Sequence, residues 1–135
     1  MANIMSVDVE DWFHLLELSS TPAIGDWGNM ESRVERNFYH LLDEFDGTDT
    51  KATCFFLGWV ADRFPKMVIE ACQRGHEIAS HGYSHQLVYT QSRRQFAEDI
   101  QRSKAGLEQI SGKRVVGYRA PGFSIVARTT WAFDD

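Results

Sequence analysis

The sequence predicts an α/β protein with a parallel sheet, and three observations carry that reading. Short apolar segments alternate with longer ones of helical period, turn residues separate them regularly, and the unusual polar residues collect where the short segments end. Strands that alternate with helices imply right-handed crossovers, which a barrel and a doubly wound sheet satisfy equally.

Each element has its own warrant. Ala2 to Val9 is short, partly β-branched and ends in a carboxylate cluster, which suits a first strand. Between Met30 and Phe45, the residues Val34, Phe38, Leu41, Leu42 and Phe45 follow helical spacing, with Asn29 as N-cap and Asp46-Gly47 as the stop. Ala52 to Leu57 is a continuous apolar run, as a parallel strand buried on both faces requires. Trp59 to Arg74 reads as a helix interrupted or restarted near Pro65, with Gly75 as its C-terminal cap. His76 to Ser80 is a brief third strand, followed by a loop from His81 to Tyr89. Ser92 to Ile110 carries Phe96, Ile100, Leu107 and Ile110 on one helical face and stops at Gly112. Val115 to Arg119 is expected as a fourth strand, Ala120-Pro121-Gly122 as a loop, and a further element begins near Thr129.

The 135 residues include 14 basic and 19 acidic side chains, a formal net charge of −5. An acidic surface repels phosphate backbones and anionic lipid, so neither nucleic acid nor a membrane is expected as partner. At 43% hydrophobic and 24% charged, the chain has the composition of a folded domain with one core. No window approaches the roughly 18 consecutive apolar residues of a membrane-spanning helix. Asp8, Glu10 and Asp11 interrupt any secretory leader at the start, so the expected location is the cytoplasm unless a leader has been removed. Cys54 and Cys72 stand too far apart for a redox pair and are expected as buried thiols.

Three clusters bear chemistry, all at or just beyond strand ends, where parallel sheets bind ligands. The first, Ser6-Val7-Asp8-Val9-Glu10-Asp11-Trp12, packs three carboxylates within four positions. Such crowding is costly without a cation or a donor, although a solvated loop with helix-capping acids is the alternative. The second places His81 and His85 four apart, so that both imidazoles can face one divalent ion; surface or core histidines are the alternative. Gly82 stands where zinc proteases carry a glutamate, which excludes their motif. His76, before an apolar strand, is expected to be structural. The third cluster, Arg119-Ala120-Pro121-Gly122-Phe123, presents a guanidinium beside a Pro-Gly turn, able to hold a carboxylate.

Taken together, Asp8 to Asp11, His81 to His85 and Arg119 to Phe123 resemble the three successive motifs of the polysaccharide deacetylases, carbohydrate esterase family four. The runs Cys54 to Ala61 and Gly75 to His81 share the likeness, which covers essentially all 135 residues. The Asp-Val-Glu-Asp-Trp-Phe start most resembles a bacterial branch associated with exopolysaccharide biosynthesis. The resemblance implies a distorted parallel (β/α) barrel. Residues 1–135 would form the N-terminal part of its NodB-like catalytic domain, truncated at the C-terminus and completed by a missing C-terminal half or by a second copy. It also implies metal-dependent hydrolysis of N-acetyl groups on a polysaccharide or oligosaccharide, with zinc as the expected cofactor. In that scheme Asp8 is the general base and Arg119 orients it. His81, His85 and either Asp11 or Glu10 ligate the metal. Pro121, Gly122, Phe123, Tyr83 and Trp12 line the sugar site. The family's first motif has adjacent aspartates, whereas Val9 and Glu10 separate Asp8 from Asp11, so the ligating carboxylate stays open. No histidine follows His85 to protonate the leaving amine. Two other readings remain: an amidohydrolase of small cyclic amides or ureides, which would need no metal, and a non-catalytic carbohydrate-binding module, which would release no acetate.

Overall fold

The computed structural model describes residues 4–16 and 20–134. Three strands, β1 (Ser6–Val9), β2 (Thr53–Phe56) and β3 (Glu77–Ser80), form a parallel sheet in the order β1-β2-β3. Asp8 pairs with Phe55, and Phe55 with Ala79. Because side chains alternate along a strand, Val7, Val9, Cys54, Phe56 and Ile78 share the face that packs against the helices. Ser6, Asp8, Thr53 and Phe55 occupy the other. Of the first expected strand, Ala2 and Asn3 lie outside the described residues, and the ladder starts at Ser6.

Helix α1 (Val34–Gly47) buries Val34, Phe38, Leu42 and Phe45, the apolar face its spacing predicts. Leu42 and Phe56 are fully enclosed, and each such side chain contributes roughly 1.5–3 kcal/mol of apolar burial. The helix starts later than expected and Asn29 does not cap it. Residues Ile24–Asn29 form a separate 3-10 turn. The free N–H groups of Arg33 and Val34 are instead received by the Asp11 carboxylate from the end of β1.

The segment after β2 is two helices, α2 (Gly58–Arg63) and α3 (Pro65–Gln73). The break falls at Phe64 (φ −129°, ψ 59°), because the ring of Pro65 bars the preceding residue from helical angles. Helix α4 (Arg93–Ser111) opens with a reciprocal Ser92/Gln95 capping box and closes on Gly112 in a left-handed conformation. It packs against α2, α3 and β3. Cys54 is buried, its thiol pushed up to about 12 by burial, and Cys72 is half-buried; both are free. His76 accepts a hydrogen bond at Nδ1 from the Ala52 amide at 3.1 Å, which ties the start of β3 to β2.

Val115 to Arg119 is not a fourth strand. It lies beside β3 through a single bridge, Ser80 with Tyr118, made by Ser80 N to Gly117 O and Arg119 N to Ser80 O, each 2.9 Å. The amide of Val115 turns away to the Glu108 carboxylate on α4 at 2.9 Å, which leaves too short a ladder for a strand. Beyond it, 3-10 turns over Ala127–Phe133 bring Trp131 and Ala132 onto Phe96 of α4. No helix among the described residues is long and apolar enough to cross a membrane.

Candidate metal centre

Strand parity sorts the first cluster. Asp8 lies with Ser6 on the face opposite the helices. Glu10, two residues on, continues toward that side, whereas Asp11 turns with Val9 toward α1. Asp11 is 4% exposed. Its oxygens accept from Trp12 N at 3.0 Å, Ser32 Oγ at 2.6 Å, Arg33 N at 3.0 Å and Val34 N at 3.2 Å. This carboxylate caps both α1 and the short turn at Trp12–His14, so the structure does not bring it to the histidines.

Glu10 does meet them. One oxygen or nitrogen from each of Glu10, His81 and His85 lies within 4.8 Å of the other two. Glu10 Oε2 stands 2.9 Å from His85 Nε2. His81 follows β3 directly, with its amide bonded to Phe56 O at 2.8 Å. His85 lies four residues on, in a left-handed conformation (φ 53°) that closes the loop.

The backbone sets the tautomer of both imidazoles. His81 Nδ1 lies 2.8 Å from Arg119 O, and His85 Nδ1 lies 2.8 Å from His14 O. A carbonyl oxygen only accepts, so Nδ1 carries the proton in each ring and the Nε2 lone pair is left for a ligand. Glu10 Oε2 is buried without a hydrogen-bond donor. With His85 neutral, two acceptors face each other at 2.9 Å, an arrangement that either a proton on Nε2 or a bound cation relieves. Two imidazoles and one carboxylate fit a divalent transition ion such as zinc, and with three protein ligands such a centre keeps positions open for chemistry.

Burial pushes the His81 imidazole below its ordinary value, outweighing the opposing pull of Arg119 O and Asp8. Burial alone would raise the Glu10 carboxyl, but His85, then His81 and His14, hold it below the usual range. His14 is enclosed by Phe13, Trp27 and Trp59, and burial drives it down to about 4. A neutral imidazole and an ionised carboxylate are the forms in which such side chains ligate a metal.

Asp8 stands beside this triad. Arg119 donates from Nη1 to Asp8 Oδ1 at 2.5 Å and from Nη2 to Ser6 Oγ at 2.7 Å, with its guanidinium lying 4.0 Å from the Phe55 ring centroid. The second oxygen, Asp8 Oδ2, faces His81 Nε2 at 3.9 Å. One oxygen is thus held by arginine and the other is turned to the ligand atoms.

The expected sugar-contacting residues are dispersed. Phe123 is 93% exposed and left-handed (φ 53°). Gly122 before it has φ 60°, a left-handed conformation that favours glycine, and a Cβ there would press on the methyl ends of Leu87 at 2.6 Å and Leu16 at 2.8 Å. Pro121 is buried. Trp12 is exposed, its indole N–H donating to Glu31 O at 3.0 Å. Tyr83 is held away by Asp62 and Arg102, which bond its hydroxyl at 2.9 and 2.6 Å. The sequence reading placed Ser6 in the first cluster without a role and missed His14 and Asp99. Parity with Asp8 would have given Ser6 its role. His14 acts through its backbone carbonyl, and Asp99 sits on α4, where nothing local signals it.

A polysaccharide deacetylase family model matches residues 26–134. The peptidoglycan-N-acetylglucosamine deacetylase of Bacillus cereus is 29% identical over 93 residues, 68% of this chain and 34% of that protein. The peptidoglycan deacetylase of Helicobacter pylori is 32% identical over 84 residues, 60% of this chain and 28% of that protein. The chain thus spans about a third of the length of the curated relatives it matches. Among solved structures, the peptidoglycan deacetylase PdaC of Bacillus subtilis superposes with a TM-score of 0.68 at 26% identity, over 73% of this chain and 48% of that one. A family-four pseudoenzyme from Bacillus anthracis shares the fold, with a TM-score of 0.73 at 18% identity over 98% of this chain and 39% of that one. These likenesses identify the sheet as part of the (β/α) barrel of that family, and with a family model matched over most of its length, the chain belongs to the polysaccharide deacetylases.

Proposed function

We propose that these residues form the metal-binding and base-bearing part of an N-deacetylase that hydrolyses acetamido groups on a glycan, releasing acetate. The observation that carries this is the pairing of two Nε2 lone pairs and a buried Glu10 oxygen with an adjacent carboxylate, Asp8, one of whose oxygens is free. Glu10, His81 and His85 are the ligands of a divalent metal, zinc by donor type. When bound, that ion supplies Lewis acidity toward the acetamide carbonyl and toward water.

The remaining work falls to the chain's own groups. Asp8 Oδ2 accepts the proton of the attacking water, because it is the oxygen turned to the ligand atoms while Arg119 holds Oδ1. Arg119 also fixes the carboxylate's rotation through its second bond, to Ser6. Exposed Phe123 and Trp12 offer faces on which a sugar ring stacks. The polymer is an N-acetylated glycan. The two curated relatives are named for peptidoglycan, whereas the Asp8 to Phe13 start favours an exopolysaccharide.

The test is acetate release by the full-length protein from N-acetylglucosamine oligomers, peptidoglycan and a cyclic ureide, before and after chelation. Acetate from a glycan, abolished by chelator and restored by zinc, is the expected result. Chelator-resistant ring opening of the ureide would overturn this reading in favour of the amidohydrolase. Stoichiometric zinc without acetate from any glycan would favour the binding module.

A further inference from the structure

The loop from His81 to His85 makes no sheet ladder of its own, yet its two ends must aim two imidazoles at one point. Its shape depends on groups from other elements. Gly82 N donates to Ser80 Oγ at 3.2 Å, and Gly82 O accepts from Gly58 N at 2.9 Å and from Ser103 Oγ at 3.0 Å. Tyr83 O accepts from Trp59 N at 3.1 Å. The middle of the loop is gripped by one side chain. Asp99, on α4, accepts from Tyr83 N at 2.7 Å through Oδ2, and from Ser84 N at 3.3 Å and Ser84 Oγ at 3.0 Å through Oδ1.

We propose that Asp99 is a positioning residue for the metal centre, acting through the loop rather than on the ion. Both carboxylate oxygens are committed to the segment between the two histidines, so the carboxylate acts as a two-pronged staple on that backbone. Gly82 is shaped to admit it. Its φ is 76°, and a Cβ there would lie 2.9 Å from Asp99 Oδ2. An amide in place of the carboxylate keeps one acceptor and turns an NH2 toward a backbone N–H, so one prong becomes repulsive. The loop then relaxes, and His85 loses its angle to His81 and to its own Nδ1 partner, His14 O. Outer partners of this kind typically govern 10- to 100-fold in metal affinity.

The inference rests on the proposed metal site, and the experiment separates the two. Zinc affinity is measured by chelator competition on the chain as wild type, Asp99→Asn, Asp99→Glu and Glu98→Gln. Wild type binding one zinc, Asp99→Asn weakened by about 10- to 100-fold with an unchanged circular dichroism spectrum, partial recovery in Asp99→Glu and no change in Glu98→Gln support the staple. Glu98→Gln removes the same charge one position away, so an equal loss there, or full affinity in Asp99→Asn, would overturn it. Absence of zinc binding in the wild type would overturn the metal site itself, and the staple with it. Hydrogen exchange in the wild type reads the staple without any substitution. Slow exchange at both Tyr83 and Ser84 amides supports it, and fast exchange at both would overturn it.

Discussion

His85 donates from Nδ1 to the carbonyl oxygen of His14 at 2.8 Å, joining the loop after β3 to the turn after β1. One hydrogen bond thus fixes the tautomer of a ligand and locks together two motifs that lie 71 positions apart. The same logic applies to His81 and Arg119, which ties the second motif to the third. The three motifs are one cross-braced unit, and the predictions below test its members separately.

Asp11 and Glu10 are chemically similar neighbours with opposite duties. Asp11→Ala should keep stoichiometric zinc but lower stability by about 0.5–2 kcal/mol, the usual cost of a lost helix cap. Urea unfolding checks this. Unchanged stability with loss of zinc would interchange the two roles.

Asp8→Asn should keep the metal and lower kcat of the full-length protein by about 10²- to 10⁴-fold, the usual contribution of a general base. Arg119→Ala should lower it as well, because the free oxygen is then no longer aimed. Steady-state acetate release with zinc analysis checks both. Loss of metal in Asp8→Asn would make Asp8 a ligand.

Burial, and then the nearby Lys51 charge, hold His76 below its ordinary value of 6.5 against the opposing pull of Asp46. The folded state therefore takes up fewer protons than the unfolded state as pH drops through this range. Its contribution to stability is complete above the unfolded value and is lost as pH falls through the lowered folded value. Between about pH 7 and pH 5 the wild type should lose stability more steeply than His76→Gln. Parallel curves in denaturant unfolding would contradict this.

Among the described residues, the outer edge of β1 has no strand partner, and Val116 and Phe133 are 72% and 75% exposed. Unpaired edges and apolar patches recruit other chains. The chain should sediment as dimers or larger species. A monodisperse monomer at micromolar concentration would contradict this expectation.

The fold was legible where local signals coincide with tertiary ones. Helical spacing from Val34 to Phe45, the Pro65 break and the Gly112 stop each correspond to a helix or a boundary in the structure. Asn29 was misleading because the cap of α1 arrives from β1, a tertiary contact with no local trace. Val115 to Arg119 has strand composition, but Glu108 captures its first amide. In the site, residue types and spacing named the candidates, and the choice between Glu10 and Asp11 was encoded in strand parity relative to Asp8. Asp99 and the His14 carbonyl could emerge only once the loops were placed in space.

The central claim is a three-ligand metal centre of Glu10, His81 and His85, and zinc titration of purified, metal-free protein tests it most directly. One zinc per chain in the wild type and in Asp11→Asn, with none retained in Glu10→Gln, His81→Ala or His85→Ala, is the result expected. Stoichiometric zinc in both histidine variants, or its loss in Asp11→Asn rather than in Glu10→Gln, would contradict the account.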